Sequence, residues 1–362
     1  MSEKSEYDKI IFSGTASDYF GIWIVNILLS FITLGIYSAW AKVRRLTYFY
    51  NNTNILDQSF GYHATGGQIF KGRLIAIAAI FGFSIISLIP IVNFALYLGL
   101  VFIIPWVLNS SLKFQAKVTS YRNVRLHWSG TYWKTFMFFV IGPFLGVLTI
   151  GILSPYFSKK FYHYYASNHS YGNADFIVGL GMKVRSFYFR FLMSILAFIG
   201  IILVAVIASL GIGALFSWAE LVEVKLMDSL DTIGLDTIGT GVMMSAYLAF
   251  FIAYIMYSVN CRNLLLNNLK LNLTINLHEA SEFQSSLNPF RYIWILISNL
   301  VIVIFSAGLM IPWASVRRYN YLVNCTEILI KSDLEGAIGK MERTGSALGH
   351  EFAEIEGIDV GI

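Results

Sequence analysis

One motif recurs three times along this chain, each time at the end of a long uncharged apolar stretch, and it constrains the fold more than any other feature. The first copy is Thr33-Leu34-Gly35-Ile36-Tyr37-Ser38-Ala39-Trp40-Ala41-Lys42-Val43-Arg44-Arg45, running on to Tyr48 and Asn51-Asn52-Thr53. The third is Ser306-Ala307-Gly308-Leu309-Met310-Ile311-Pro312-Trp313-Ala314-Ser315-Val316-Arg317-Arg318, running on to Tyr321 and Asn324-Cys325-Thr326. A degraded second copy lies between them, Thr149-Ile150-Gly151-Ile152-Leu153-Ser154-Pro155-Tyr156-Phe157-Ser158-Lys159-Lys160, followed by Tyr164 and Asn168. In each, a glycine is followed by an aromatic residue five positions on, a basic residue four further and a tyrosine four beyond that. Matched spacing of this kind marks an internal repeat.

Each copy reads as an apolar helix meeting a membrane surface. The indole or phenol ring suits the half-wet headgroup region, and the cations that follow suit the anionic cytoplasmic face. Charged residues make up only 13% of the chain and hydrophobic ones 56%, whereas a soluble domain is roughly 25% charged. The mean hydropathy is +0.64, and an integral membrane protein follows. The net charge of +5 is therefore assigned to lipid contact and topology, not to nucleic acid. Cys261 and Cys325 are too few and too far apart for a disulfide framework or a metal site. The N-terminus lacks the pattern of a cleavable signal peptide.

Seven stretches have the length and apolarity of bilayer helices, roughly 19–37, 74–89, 91–108, 135–153, 191–216, 241–259 and 292–311. Pro90 divides the second from the third, so these two form a hairpin. The expected fold class is all-α: a multi-pass transmembrane helical bundle of about seven apolar helices with an internal 3 + 3 + 1 repeat. A polar N-terminal segment (1–18) precedes a membrane domain (19–330), and an acidic tail (331–362) follows it. Within the membrane domain, repeat units of about 12–112 and 128–260 are followed by a final motif helix at about 288–328. Short β-like segments at 59–63 and 174–178 are expected on the membrane surface, as small strands at the edge of the bundle.

Two topology rules disagree. If all seven segments span, cations including Lys159, Lys160, Lys183, Arg185, Arg190 and Arg262 fall outside, a poor fit to the positive-inside rule. If the three motif segments re-enter and return on the same face, only Lys225 lies outside, in an acidic loop at 220–236. The uncharged run Tyr19–Ala41 reaches about 34 Å as a helix, enough to cross a core of about 30 Å. Length is given the greater weight, so seven spans are expected, with re-entry as the alternative.

The first and third motifs, with Phe12-Ser13-Gly14 at the start and Gly345-Ser346-Ala347-Leu348-Gly349 through Asp359-Val360-Gly361-Ile362 at the end, resemble the YjgN-type family of bacterial inner-membrane proteins. The resemblance covers nearly the whole chain. It implies a multi-pass inner-membrane protein of a family without assigned activity, catalytic residue or cofactor. The second motif departs from the pattern, with Tyr156 for Trp and Lys159-Lys160 for the arginine pair.

No catalytic, cofactor or metal constellation emerges, and no enzymatic activity is expected. Gly179-Leu180-Gly181 and Gly211-Ile212-Gly213 lack the context of a dinucleotide loop. His163 and His169 do not share a helical face. Asn26 and Asn299 each lie nine residues before the motif glycine. They are candidate intramembrane polar contacts, read first as interhelical hydrogen-bonding groups and second as solute contacts. Trp40, Lys42, Arg44 and Arg45, with Trp313, Arg317 and Arg318, are candidates for topology determinants or for lipid-phosphate sockets. Membrane lipid, including anionic lipid, is the expected partner; no nucleic acid is. Two functions stay open: a transporter or channel-like protein for a small or lipid-like solute, and a non-transporting protein that binds anionic lipid or a protein partner in envelope organisation.

Overall fold

The computed structural model describes residues 7–221, 231–272 and 280–330. Residues 222–230 of the acidic loop and the C-terminal tail from Lys331, both singled out above, lie outside the described residues. The chain opens with two short strands, β1 (Asp8–Lys9) and β2 (Ile11–Phe12). A helical hairpin, α1 (Ala16–Ile32) and α2 (Ser38–Asn51), leads to β3 (Thr53–Ile55) and β4 (Gln58–Tyr62). A long pair, α3 (Gly66–Ile86) and α4 (Pro90–Val118), leads to β5 (Thr119–Tyr121) and β6 (Val124–Trp128). The second motif forms α5 (Tyr132–Phe136), a π-helical turn (Met137–Ile141), α6 (Gly142–Leu148) and α7 (Ser154–Ser167), ahead of β7 (His169–Tyr171) and β8 (Ala174–Val178). Another long pair, α8 (Val184–Leu221) and α9 (Asp231–Leu266), precedes β9 (Leu269–Asn272) and β10 (Ser281–Ser285). The third motif makes α10 (Pro289–Phe305) and α11 (Ile311–Asn324), and β11 (Thr326–Leu329) follows.

The strands join one antiparallel sheet in the order β1-β11-β10-β9-β8-β7-β6-β5-β4-β3-β2. Its two ends belong to one continuous stretch, residues 8–12: β1 pairs with β11 and β2 pairs with β3. The Ile10 N–H between them donates to the Thr326 carbonyl at 3.2 Å. The sheet is thus a nearly closed barrel, which removes the exposed edges that such short strands would otherwise present.

Pairing also fixes where each helical excursion starts and ends. Each helical excursion leaves one strand and returns to its hydrogen-bonded neighbour, as the partners Phe12↔Thr53, Tyr62↔Thr119, Trp128↔His169, Val178↔Leu269 and Ser285↔Thr326 show. The helices therefore rise from one rim of the barrel. The opposite rim carries tight two-residue turns, with Leu56–Asp57 and Arg122–Asn123 all at positive φ and Gly172 at φ +56°, as twisted β-hairpins require.

The expectation of an all-α bundle of seven spans is corrected on both counts. The segment at 174–178 forms β8 and that at 59–63 lies in β4 but for His63, which follows the strand; both belong to this barrel and not to the edge of a helical bundle. Among the described residues, four helices are long and apolar enough to cross a membrane: Gly66–Ile86, Val92–Val118, Val184–Gly211 and Thr240–Leu266. The three motif segments are shorter helices that fold back. Their glycines sit at φ +90°, +87° and +89° (Gly35, Gly151, Gly308), each preceded by a residue near φ +50°. Two successive left-handed residues end a helix and reverse the chain, and glycine adopts that conformation without strain.

Inside the barrel, Ile55, Tyr121, Val124, Tyr171, Ala174, Leu271 and Ile328 form a buried cluster, with Phe60, Leu126, Phe176 and Phe283 packed on it. Side chains alternate along the strands as the pleat demands: in β6, Val124 and Trp128 are buried while Arg125 and His127 are exposed. The Tyr171 hydroxyl donates to the Tyr121 carbonyl (2.8 Å) and the Tyr121 hydroxyl to the Ile55 carbonyl (2.7 Å). Burial raises the Tyr121 phenol above its ordinary pKa, which keeps it a donor. The interior is a packed core, not a pore.

Candidate functional site

The sequence-selected residues fall on the three hairpins, and two of those hairpins share a clamp. In the third, Asn299 is buried; its amide donates to the Ala314 carbonyl at 3.0 Å and its oxygen accepts from Arg317 at 3.0 Å. Arg317 also donates to Ser298 Oγ at 2.7 Å and stacks its guanidinium 5.0 Å from the Trp313 ring centroid. The first hairpin repeats this more loosely: Asn26 reaches the Ala41 carbonyl at 3.5 Å and accepts from Arg44 at 3.4 Å. Arg44 has a further acceptor in Tyr37 Oη at 3.1 Å. An asparagine amide supplies one donor and one acceptor at once, which is what a polar bridge between two helices in an apolar setting needs.

The second hairpin solves the same contact without polar groups. Gly142 stands at the asparagine register and Phe157 at the alanine register. The Phe157 ring packs against the bare backbone of Gly142, 3.2 Å from where a Cβ would stand. Asn with Ala has become Gly with Phe, a volume exchange across one contact. The base of each hairpin is fixed alike: the Tyr48, Tyr164 and Tyr321 hydroxyls donate to the carbonyls of Thr15, Thr131 and Asn288, at the starts of α1, α5 and α10.

The remaining selected residues are placed as follows. Trp40 is 37% exposed and packs on the first turn of α3, where a side chain at Gly66 would strike its indole. Lys42, Arg44, Arg45 and Arg318 are exposed. The hairpin tips are apolar and exposed, with Leu34 at 94%, Ile150 at 93% and Phe305 at 88%. Arg45 and Arg318 thus remain open to solvent or lipid, while Arg44 and Arg317 are tied into their hairpins.

A feature the sequence reading missed lies where the helix-bearing rim meets the helices. A cavity of about 900 Å³ opens there. Its floor is Phe60, Leu126 and Phe283 of the barrel; its walls include Tyr50 of α2, Tyr162 and Tyr165 of α7, Leu265 of α9 and Tyr319 and Leu322 of α11. Among the described residues, one cation lines it, Arg262 of α9. Arg262 donates to Ser285 Oγ at 2.7 Å, Thr326 Oγ1 at 2.8 Å and the Leu322 carbonyl at 3.4 Å. In the sequence, the apolar run ends at Val259, so Arg262 reads only as a topology charge. The helix continues to Leu266, and extending the run by two turns would have marked Arg262 as a cation near the end of a span.

The profile of the family described as "Bacterial protein of unknown function (DUF898)" matches residues 8–355. The chain belongs to this family. The inner membrane protein YjgN of Salmonella typhimurium LT2 is 26% identical over 408 aligned residues, which cover 100% of this chain and 97% of that relative. The inner membrane proteins YjgN of Escherichia coli K12 and O157:H7 are 35% and 34% identical over 152 residues, 40% of this chain and 37% of each relative. No solved structure matches. With these inner-membrane relatives and four helices fit to cross a bilayer, the chain is a multi-pass protein of the bacterial inner membrane, and the YjgN-type resemblance seen in its motifs holds.

Proposed function

We propose that this protein is a non-enzymatic membrane protein that holds a lipid-like amphiphile in the cavity at the barrel mouth, with the barrel on the cytoplasmic face. The observation that carries the reading is the cavity itself: about 900 Å³, at the upper end of the range of ligand sites, and walled mainly by leucine, phenylalanine and tyrosine. A packed barrel interior speaks for a carrier or holder and against an open channel. The orientation rests on charge. Lys71 and Arg73 lie near the start of α3, Lys113 and Lys117 near the end of α4, and Arg185 and Arg190 near the start of α8. All are at the barrel end of their helices, which the positive-inside rule assigns to the cytoplasm. In this reading four helices span, and the three hairpins dip their apolar tips into the same leaflet and return.

The test is lipid retention after purification in a neutral detergent, followed by native mass spectrometry. The wild type is expected to retain an amphiphile at a defined stoichiometry, and Leu322→Trp, which fills the cavity, to lose it. Equal retention by both proteins would refute the cavity as the site. A second reading, binding of anionic lipid at the hairpins, draws on the exposure of Arg45 and Arg318. Arg44, Arg45, Arg317 and Arg318 exchanged together for lysine would keep topology but reduce bound anionic lipid, since lysine cannot offer the bidentate fork.

A further inference from the structure

We infer that Arg262 reads the head of the cavity's ligand, so that the ligand is an anionic amphiphile, a phosphodiester head on acyl chains taken from the surrounding membrane. This rests on the cavity being an amphiphile site. It adds a recognition residue and a charge.

Three observations carry it. First, all three hydrogen-bond acceptors of Arg262 are neutral: two hydroxyls and one carbonyl. Second, the carboxylates on the neighbouring strands are engaged on the other side. Glu282 pairs with Lys270 at 2.9 Å. Glu327 follows Thr326 and stands opposite Lys9 across the β1–β11 ladder; alternation along β11 puts its side chain on the face away from Thr326. Among the described residues, no carboxylate meets Arg262. A half-buried guanidinium held by neutral acceptors alone leaves an unbalanced positive charge at the cavity wall, which favours an anion beside it. Third, the guanidinium is held in place at the cavity wall. Ser285 and Thr326, on adjacent strands, take one N–H each from its two terminal nitrogens. A fork already fixed by protein loses little freedom when phosphate or carboxylate oxygens approach its remaining N–H groups. Around it, Leu265, Leu266, Leu322 and Phe283 offer an apolar wall to acyl chains.

The experiment presents detergent-purified protein with mixed micelles of equal phosphatidylglycerol and phosphatidylcholine and counts the bound species by native mass spectrometry. The wild type should prefer phosphatidylglycerol at least tenfold. Arg262→Gln should retain lipid yet lose the preference. Ser258→Glu, one helical turn before Arg262 and also lining the cavity, supplies an internal carboxylate at i, i+4 and should abolish the preference even if Arg262→Gln fails to fold. A preference unchanged in either folded variant overturns the assignment. Loss of all lipid, phosphatidylcholine included, from the wild type defeats the cavity reading instead. Inorganic phosphate at millimolar concentration is the last arm. Displacement of phosphatidylglycerol by it would make the free anion the ligand and overturn the amphiphile; no displacement supports the membrane source.

Discussion

The exchange of Asn with Ala for Gly with Phe between hairpins gives a perturbation whose size follows from the geometry. Asn299→Gly in the third hairpin removes the bond to the Ala314 carbonyl and the one from Arg317. A neutral bond contributes about 1 kcal/mol and a charged one about 1.5–3 kcal/mol in soluble proteins, but interhelical bonds in membranes average nearer 0.6 kcal/mol. Arg317 keeps Ser298 as an acceptor, which limits its loss. Glycine within a helix adds about 0.5–1 kcal/mol, so the single variant should lose about 2–3 kcal/mol. Ala314→Phe alone forces a ring against Asn299 and should cost about 1–3 kcal/mol by overpacking. Together the two recreate the Gly142–Phe157 contact of the second hairpin, in which the ring occupies the space left open by glycine. The double variant should therefore be more stable than the sum of the singles by about 2 kcal/mol, roughly 30-fold in the unfolding constant. Unfolding of the purified protein in a graded denaturing detergent, followed by tryptophan fluorescence, measures all four corners of this cycle. Strict additivity would show that the two hairpins do not share one contact, and the register argument would fall with it.

Four further outcomes are expected. Gly308→Val puts a β-branched residue at φ +89° and should cost at least about 1–2 kcal/mol, whereas Gly21→Ala, in the body of α1 with nothing within 4 Å, should be neutral or stabilising; equal effects would deny the turn its left-handed requirement. Tyr121→Phe leaves the Ile55 carbonyl without its hydroxyl donor and should destabilise the fold by about 1–2 kcal/mol, read as a lower melting midpoint with no change in bound lipid. His169 has its ring centroid 4.6 Å from those of both Trp128 and Tyr165, and its Nδ1 donates to the Tyr165 carbonyl at 2.7 Å; burial lowers its pKa. The unfolded chain therefore takes up the proton first, so stability is full above about pH 6.5 and falls as pH drops below it; His169→Phe should flatten that part of the thermal-stability profile, and an unchanged slope would remove His169 as its source. Finally, a cysteine at Asp57, on the turn-bearing rim, should be labelled only from the cytoplasm, and one at Leu88, between α3 and α4, only from outside; the reverse pattern would invert the proposed orientation.

Much of the local design was legible in the sequence. The threefold motif marks three equivalent structures, and the charge balance, which leaves only Lys225 outside when the motif segments return, favoured folding back. Helix length was the weaker guide, because an apolar run does not reveal whether it is one helix or a helix and a turn. Gly35 sits at the end of the run, just where the chain reverses. The shared register of Asn26 and Asn299 was legible, but their partners, Ala41 with Arg44 and Ala314 with Arg317, were not, because each lies on the returning helix. Trp40 was read as an interfacial anchor, yet its packing on Gly66 depends on a helix encountered later in the chain.

What the amino-acid sequence determined by itself was the membrane location and the recurrence of the motif, since these depend on transfer energies and spacing along one chain. The tertiary structure alone decided the barrel and the cavity. Strands of two to five residues carry almost no periodic signal, and they become a sheet only because each helical excursion returns to the strand beside the one it left. Arg262 acquires its place in the same way: Ser285 and Thr326 lie 23 and 64 residues away along the chain, and only closure of the barrel brings their hydroxyls to its guanidinium.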